Sequence, residues 1–163
     1  MNKASLLSIS LMSFFSSFSQ VGSTAYSIML KTLLSNSVKQ ISVEEVSNKE
    51  FYFLDARAEN EYQVSHIRGA TWVGYEEFDL EKVSKLKKAD PIVIYCSVGY
   101  RSEKIGEKLI EAGFTNVSNL YGGIFEWVNQ GNTIVNKKGE KTPNIHAYSK
   151  TWGIWLTQGV KVY

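Results

Sequence analysis

The sequence predicts an α/β domain in which a central, mostly parallel sheet is flanked by helices. Two compact apolar runs, residues 51–54 and 91–95, are typical of buried strands. Each run is followed by a helical stretch, over residues 59–64 and 101–112 respectively. This alternation favours parallel strands joined by crossover helices. We therefore expect three layers, with helices on both faces of the sheet.

Three short elements are predicted before the first of these strands. Apolar residues recur on one helical face over residues 26–34, which indicates a short helix that lies on the domain. Residues 40–42 predict a short strand. Ser42, with Glu45 three positions later, has the pattern of a capping box and predicts the start of a helix over residues 43–48.

The same alternation continues after the second long helix, which Gly113 is expected to terminate. Residues 117–120 predict a strand and residues 124–129 a helix. Gly122 and Gly123, which lie between them, predict a tight turn rather than a phosphate-binding loop.

Two further stretches have less regular patterns. Residues 79–88 are charged and loosely periodic, which favours a solvated helix face over a binding patch. Residues 132–163 predict a hairpin, built from residues 133–135 and 140–142, and then an aromatic tail. We expect this extension to pack on the same domain through Trp152 and Trp155, where it either covers a sheet edge or shapes the mouth of a site.

The composition limits the classes of function. A chain of 163 residues with 44% hydrophobic residues is the size of one compact domain. Its 18 basic and 16 acidic residues are spread along the chain and give a net charge of +2. Because no concentrated charge results, we expect neither a nucleic-acid partner nor binding to an anionic membrane surface.

The N-terminal segment predicts export. Lys3 is followed by 27 uncharged residues, beginning with an apolar, serine-rich run, which is a signal-peptide pattern. We expect residues 1–25 to be the signal peptide, with cleavage after Ala25, or alternatively after Ser19. The domain then covers residues 26–131 and the protein is periplasmic or secreted. The serines and Gln20 disfavour a membrane-spanning helix, so no stable membrane anchor is expected.

The chain has a single cysteine, Cys96, so no internal disulfide can form. Cys96 follows a predicted buried strand and precedes a helix. At such a position, free backbone N–H groups and the helix dipole stabilise negatively charged sulfur. Gly99 lets the loop curl, and Arg101 adds a fixed positive charge. The loop alone is equally compatible with an ordinary strand-to-helix turn that buries a cysteine.

Residues 41–127 resemble the rhodanese family through several motifs in the same order. The resemblance is carried by Asp55-Ala56-Arg57, by Glu59 and Glu61 leading to His66-Ile67-Arg68-Gly69-Ala70, by the loop from Cys96 to Ser102, and by Leu120-Tyr121-Gly122-Gly123 followed by Trp127. The resemblance implies a rhodanese-like fold and a sulfurtransferase of the thiosulfate type, in which Cys96 carries sulfur as a persulfide between a donor and a thiol or cyanide acceptor.

The resemblance also implies roles for residues around the cysteine. Backbone N–H groups of the loop would hold the extra sulfur; the loop residues concerned are Ser97, Val98, Gly99, Tyr100 and Arg101. Arg57 and Arg101 are candidates for binding an anionic donor. Alternatively, Asp55 pairs with Arg101 and braces the loop. His66 and Ser102 are expected to be structural.

Other functions are less favoured. Only four residues separate Cys96 from Arg101, whereas cysteine-dependent phosphatases have five, and no aspartic acid lies in or beside the loop to protonate a leaving group. With two histidines and one cysteine, neither a metal site nor a cofactor is expected. The remaining alternative is a sulfur-carrier or redox-sensing module without efficient turnover. We expect a monomer that meets a small sulfur donor and a thiol acceptor, which could be a protein thiol.

Overall fold

The computed structural model describes residues 23–47 and 50–163, with a five-stranded parallel sheet at the centre. In spatial order the strands are β1 (Lys39–Ile41), β6 (Val117–Leu120), β5 (Ile92–Tyr95), β2 (Tyr52–Asp55) and β4 (Thr71–Trp72). Every neighbouring pair is parallel. The predicted fold class, an α/β domain with a mostly parallel central sheet, is confirmed.

Six α-helices are present in the described part of the chain. They are α1 (Thr24–Leu33), α2 (Val43–Val46), α3 (Glu59–Val64), α4 (Tyr100–Glu111), α5 (Gly123–Asn129) and α6 (Lys150–Gly153). The capping box predicted at the start of α2 is confirmed, because Ser42 and Glu45 exchange side-chain to backbone hydrogen bonds. The prediction of a helix to residue 48 ends beyond the described residues, since residues 48 and 49 are not among them.

The central strand β5 is buried on both faces, which explains its continuous apolar sequence. Val93 and Tyr95 belong to the core cluster that includes residues of α1, α2 and α5. Ile92 and Ile94, which point the opposite way, belong to a second cluster with residues of α4. The two clusters are the interfaces between the sheet and its two helical layers.

The C-terminal extension forms two small sheets on this core. The predicted hairpin is confirmed: β7 (Ile134–Val135) pairs antiparallel with β8 (Lys141–Thr142) and also with β3 (His66–Ile67). After it, β9 (Asn144–His146) pairs parallel with β10 (Val160–Val162), and α6 lies between them in the chain. The extension thus packs on the same domain.

Tyr26 connects α1 to both the core and the extension. Its ring is stacked on Trp155, with centroids 5.4 Å apart and an interplanar angle of 11°. Its hydroxyl donates a hydrogen bond of 2.8 Å to the carbonyl oxygen of Gly122. The side chain is therefore buried although the residue lies near the start of the described chain.

Most of the predicted signal peptide, residues 1–22, lies outside the described residues. The predicted boundary after Ala25 falls inside α1, whose N-cap is Ser23. Within the described ranges, no helix is long and apolar enough to cross a membrane.

The prediction of a helix over residues 79–88 is wrong. Only a short 3₁₀ helix forms there, over Leu80–Val83. The apolar residues of this stretch, Leu80, Val83 and Leu86, recur every three residues, which matches the three residues per turn of a 3₁₀ helix rather than the 3.6 of an α-helix.

Candidate active site

Cys96 lies directly after β5, at the carboxyl edge of the sheet, and α4 begins four residues later at Tyr100. The Gly99 N–H group points at the Cys96 sulfur, with a distance of 3.1 Å between nitrogen and Sγ. The loop residues Ser97 and Val98 are also buried. The N-terminus of a 12-residue helix therefore faces a largely enclosed sulfur atom, which favours a negative charge on that sulfur.

Buried side chains fix the end of this loop. Gly99 has a φ angle of +120°, which a glycine adopts without strain. Its carbonyl oxygen accepts a hydrogen bond of 3.0 Å from Asn119 Nδ2 and lies 3.1 Å from Ser102 Oγ. Ser102 Oγ is also 2.7 Å from Asn119 Oδ1. Ser102 therefore contacts the loop backbone rather than the sulfur, as expected for a supporting residue.

The glycine turn before α5 supports the loop from behind. Gly122 and Gly123 both have positive φ angles, and a Cβ atom at Gly123 would lie only 2.4 Å from the carbonyl oxygen of Cys96. This close approach lets the first N–H groups of α5 donate to the loop, from Ile124 to the Cys96 carbonyl oxygen at 2.9 Å and from Phe125 to that of Ser97 at 3.1 Å. The predicted tight turn is confirmed.

Arg101 is held by a buried carboxylate. Its two terminal nitrogens donate to Glu61 Oε2 at 2.7 Å and Glu61 Oε1 at 3.0 Å, and Ser97 Oγ lies 3.0 Å from both Arg101 and Glu61. Burial by itself raises the pKa of Glu61, but the hydrogen bonds and charge of Arg101 outweigh it, so this pKa is lower than usual. The proposed pairing of Arg101 with Asp55 is wrong, because Glu61 is the bracing partner.

Asp55 instead pairs with Arg57 in a fully buried ion pair. Arg57 donates to both carboxylate oxygens of Asp55, at 2.6 to 3.2 Å, and to the carbonyl oxygen of Ser65 at 2.6 Å. Both side chains are 0% exposed. This burial disfavours the expectation that Arg57 meets an anionic donor, which stays a prediction; the buried Nη1 atom of Arg57 has no hydrogen-bond partner in the described structure.

His66 is part of β3 rather than of the sulfur site. Its Nδ1 lies 3.0 Å from the carbonyl oxygen of Tyr62, and its ring is stacked on that tyrosine with centroids 3.9 Å apart. These contacts join α3 to β3, so the geometry agrees with the expected structural role.

A cavity of about 220 Å³ opens beside the sulfur atom. The loop contributes Cys96, Ser97 and Val98 to it, and α4 contributes Tyr100 and Arg101. Its remaining walls are Leu33 of α1 together with Tyr148 and Trp152 of the extension. The extension therefore shapes the mouth of the site, one of the two roles predicted for it.

Tyr148 was not recognised from the sequence. Its ring covers the Arg101 guanidinium, with 5.0 Å between Cζ and the ring centroid, and its backbone has a φ angle of +63°. The Nδ1 atom of His146 accepts a hydrogen bond from the Tyr148 N–H group at 3.1 Å. Burial is the main cause that lowers the pKa of His146, which favours the neutral ring needed for this contact. No sequence pattern signalled this arrangement.

The described residues contain no group of three or more His, Cys, Asp or Glu side chains that could hold a metal ion. The Cys96 sulfur lies in a loop with the Arg101–Glu61 ion pair on one side and an apolar cavity on the other.

Comparisons with known proteins agree with this geometry. The sequence profile of the Rhodanese-like domain family matches residues 38–130. The thiosulfate sulfurtransferase GlpE of Coxiella burnetii is 31% identical over 93 residues, which cover 55% of this chain and 86% of that protein. A tRNA uridine(34) hydroxylase of Hamiltonella defensa is 36% identical over 93 residues, but this chain matches only 25% of its length.

Solved structures show the same fold. A rhodanese-like domain from Anabaena has a TM-score of 0.55 at 27% identity, with 64% of this chain and 83% of that one covered. A rhodanese-related protein from Thermoplasma volcanium has a TM-score of 0.53 at 26% identity, with 60% and 97% covered. Because the family profile covers more than half of the chain and the fold agrees, the protein belongs to the rhodanese-like domain family.

Proposed function

We propose that this protein is a sulfurtransferase that carries sulfur as a persulfide on Cys96. The observation that carries the proposal is the position of the Cys96 sulfur, which accepts the Gly99 N–H group in front of a helix N-terminus and borders an open cavity. Such a position stabilises a thiolate and leaves it a path to small molecules. The relatives named thiosulfate sulfurtransferase support the same reaction class.

The reaction proceeds in two displacement steps. The Cys96 thiolate attacks the outer sulfur of thiosulfate, the sulfur–sulfur bond breaks, and sulfite leaves with the bonding electron pair. A thiolate or cyanide then attacks the outer sulfur of the persulfide and regenerates the Cys96 thiolate. Backbone N–H groups between Ser97 and Arg101, including those of Val98 and Tyr100, would stabilise the negative charge on the outer sulfur.

Arg101 has a positioning role in this proposal. Its guanidinium is already engaged by Glu61 and Ser97, so it holds the loop rather than binding a free anion. This supports the alternative given in the sequence analysis, in which Arg101 braces the loop, but its partner is Glu61 rather than Asp55.

Steady-state formation of thiocyanate from thiosulfate and cyanide tests the proposal. We expect wild-type protein to turn over many times and the Cys96→Ser variant to be inactive. A single burst equal to the protein concentration, without further turnover, would favour the sulfur-carrier alternative. No thiocyanate and no sulfur uptake from any sulfane donor would refute the proposal.

We also propose that the protein is exported and that cleavage follows Ser19 rather than Ala25. Cleavage after Ala25 would remove Ser23, the N-cap of α1, and would place a positive α-amino group at the start of that helix, where the dipole disfavours it. Cleavage after Ser19 leaves the helix complete. The intact mass of protein recovered from the medium or periplasm tests this, and a mature chain that begins at Tyr26 would contradict it.

A further inference from the structure

We propose that the sulfur acceptor is an uncharged organic thiol with an aromatic or branched apolar group, which occupies the cavity beside Cys96. This inference rests on the proposed function and adds a substrate class to it. It is drawn from the walls, the charge and the size of that cavity.

The outer walls come from segments on either side of residues 38–130, the part matched by the family profile. Leu33 belongs to α1, and Tyr148 and Trp152 belong to the extension. Together with Val98 of the loop, these side chains form a mostly apolar surface around the path to the sulfur. This surface is thus built by α1 and the C-terminal extension. In our inference, these two segments adapt the loop that starts at Cys96 to a particular ligand.

The charge of the cavity disfavours an acceptor that carries a carboxylate, whereas the negative charge of thiosulfate would be met by the backbone N–H groups of the loop beside Cys96. Among the described residues that line it, Arg101 has the only positively charged side chain, and Glu61 pairs with two of its nitrogens. The ring of Tyr148 covers one face of the guanidinium. An acceptor carboxylate would therefore lose its hydration without gaining an unpaired cation, which is unfavourable.

The volume fits a ring with a short linker. An apolar protein cavity of about 150 Å³ is large enough to bind benzene. The cavity beside Cys96 measures about 220 Å³, which leaves room for a ring and the methylene that carries a thiol group.

The backbone conformation of Tyr148 also indicates that this side of the cavity is held in a fixed shape. A φ angle of +63° is unusual for a large side chain, and strained backbone of this kind persists where the surroundings enforce it. Here the hydrogen bond from its N–H group to His146 and the contact of its ring with Arg101 enforce it. This backbone conformation places the Tyr148 ring where it lines the cavity.

The transfer step remains a simple displacement. The acceptor thiolate attacks the outer sulfur of the Cys96 persulfide, a new sulfur–sulfur bond forms on the acceptor, and the Cys96 sulfur leaves with the electron pair of the broken bond. The acceptor becomes an organic persulfide, and no external oxidant or reductant is consumed.

Single-turnover transfer from the loaded persulfide tests the inference. The acceptors are phenylmethanethiol, 2-sulfanylethanol and the anionic 3-sulfanylpropanoate, compared at equal thiolate concentration. We expect phenylmethanethiol to react at least about 10-fold faster than 2-sulfanylethanol, since one apolar group in a fitted pocket gives discrimination of this size. The anionic thiol should be the slowest.

Two tryptophan variants show whether the cavity causes this preference. Trp152→Ala removes a wall of the cavity and should bring the rate ratio close to one. Trp127→Ala is the matched control, because that ring packs on Phe53 and donates to the Thr133 carbonyl oxygen, and it should keep the wild-type ratio. Equal rates for the three thiols, or the fastest transfer to the anionic one, would overturn the inference while leaving the sulfurtransferase proposal intact.

A second measurement is independent of sulfur transfer. Because Cys96 is the sole cysteine, its alkylation by N-benzyl iodoacetamide and by iodoacetamide can be followed by intact mass without background. We expect faster and saturable alkylation by the benzyl reagent, and loss of this preference in Trp152→Ala. If the protein takes up no sulfur, the proposed function fails, but the alkylation rates still test whether the cavity prefers an aromatic group. Equal and non-saturable rates for the two reagents would overturn the inference about the cavity.

Discussion

Replacing Glu61 by glutamine removes the carboxylate on which the active-site loop depends. The change keeps the size of the side chain but replaces one acceptor oxygen by an amide group that donates. Glu61 accepts two charge-assisted hydrogen bonds from Arg101, one bond from Ser97 Oγ, and one from the Ala58 N–H group. Its side chain is 2% exposed and that of Arg101 is 17% exposed, so water screens the pair only weakly.

Breaking a buried ion pair on one side destabilises a protein by about 3 kcal/mol or more. We expect Glu61→Gln to lower the free energy of unfolding by about 3 kcal/mol at pH 7. Urea unfolding followed by tryptophan fluorescence measures this. Glu107→Gln is a suitable control, because Glu107 pairs with Lys104 at the surface of α4, where both side chains are about one-third exposed and such pairs contribute little; Glu107 also accepts a hydrogen bond from Ser37 Oγ.

The same pair predicts a pH dependence. The pKa of Glu61 is lowered in the folded protein, so its contribution is complete above the unfolded pKa of about 4.3 and is lost as the pH falls through the folded value. Glutamine does not titrate. The stability difference between wild type and Glu61→Gln should therefore shrink as the pH is lowered below about 4. A difference below about 1 kcal/mol at pH 7, or one that does not change with pH, would refute the reasoning.

Three further substitutions test other parts of the loop's support, and urea unfolding measures each one. Gly123→Ala should lower the free energy of unfolding by well over 2 kcal/mol, since the added Cβ would meet the loop backbone. Gly131→Ala is the control: Gly131 also has a positive φ angle but has open space around it, so this change should cost only about 1 kcal/mol. Equal costs would contradict the close approach of Gly123 to the loop. Tyr26→Phe should cost about 1 kcal/mol, because the Gly122 carbonyl oxygen loses the Tyr26 hydroxyl but keeps the Glu126 N–H group as a donor, and no loss would contradict the Tyr26 hydrogen bond. Asp55→Asn should cost about 3 kcal/mol or more by leaving the buried Arg57 charge without its partner, and a near-neutral effect would show that the pair is not buried.

Strands β2 and β5 could be predicted from the sequence because they are short, largely apolar runs, whereas the two-residue strand β4 was not predicted. The bounds of α3 and β6 agree with the predicted ranges, and β5 differs by one residue at its start. The 3₁₀ helix at Leu80–Val83 was predicted as α-helix because, over so short a stretch, apolar residues spaced by three also fit one face of an α-helix.

The ion pairs of the site could not be assigned from the sequence. Arg101 and Glu61 are 40 residues apart in the chain, and Asp55 was the only partner considered for Arg101. Which carboxylate meets which guanidinium depends on how α3 packs against the loop, which no local pattern encodes. The position of Tyr148 depends likewise on the packing of β9 against α3.

The most direct test of the central claim is the intact mass of the full chain after exposure to thiosulfate under conditions without reductant. The account predicts the mass of one added sulfur atom on wild-type protein, its absence on Cys96→Ser, and its loss from wild type when cyanide is added, with one thiocyanate formed for each sulfur removed. Added sulfur on the serine variant, or none on the wild type with thiosulfate or an organic persulfide as donor, would contradict the claim that Cys96 carries the sulfur.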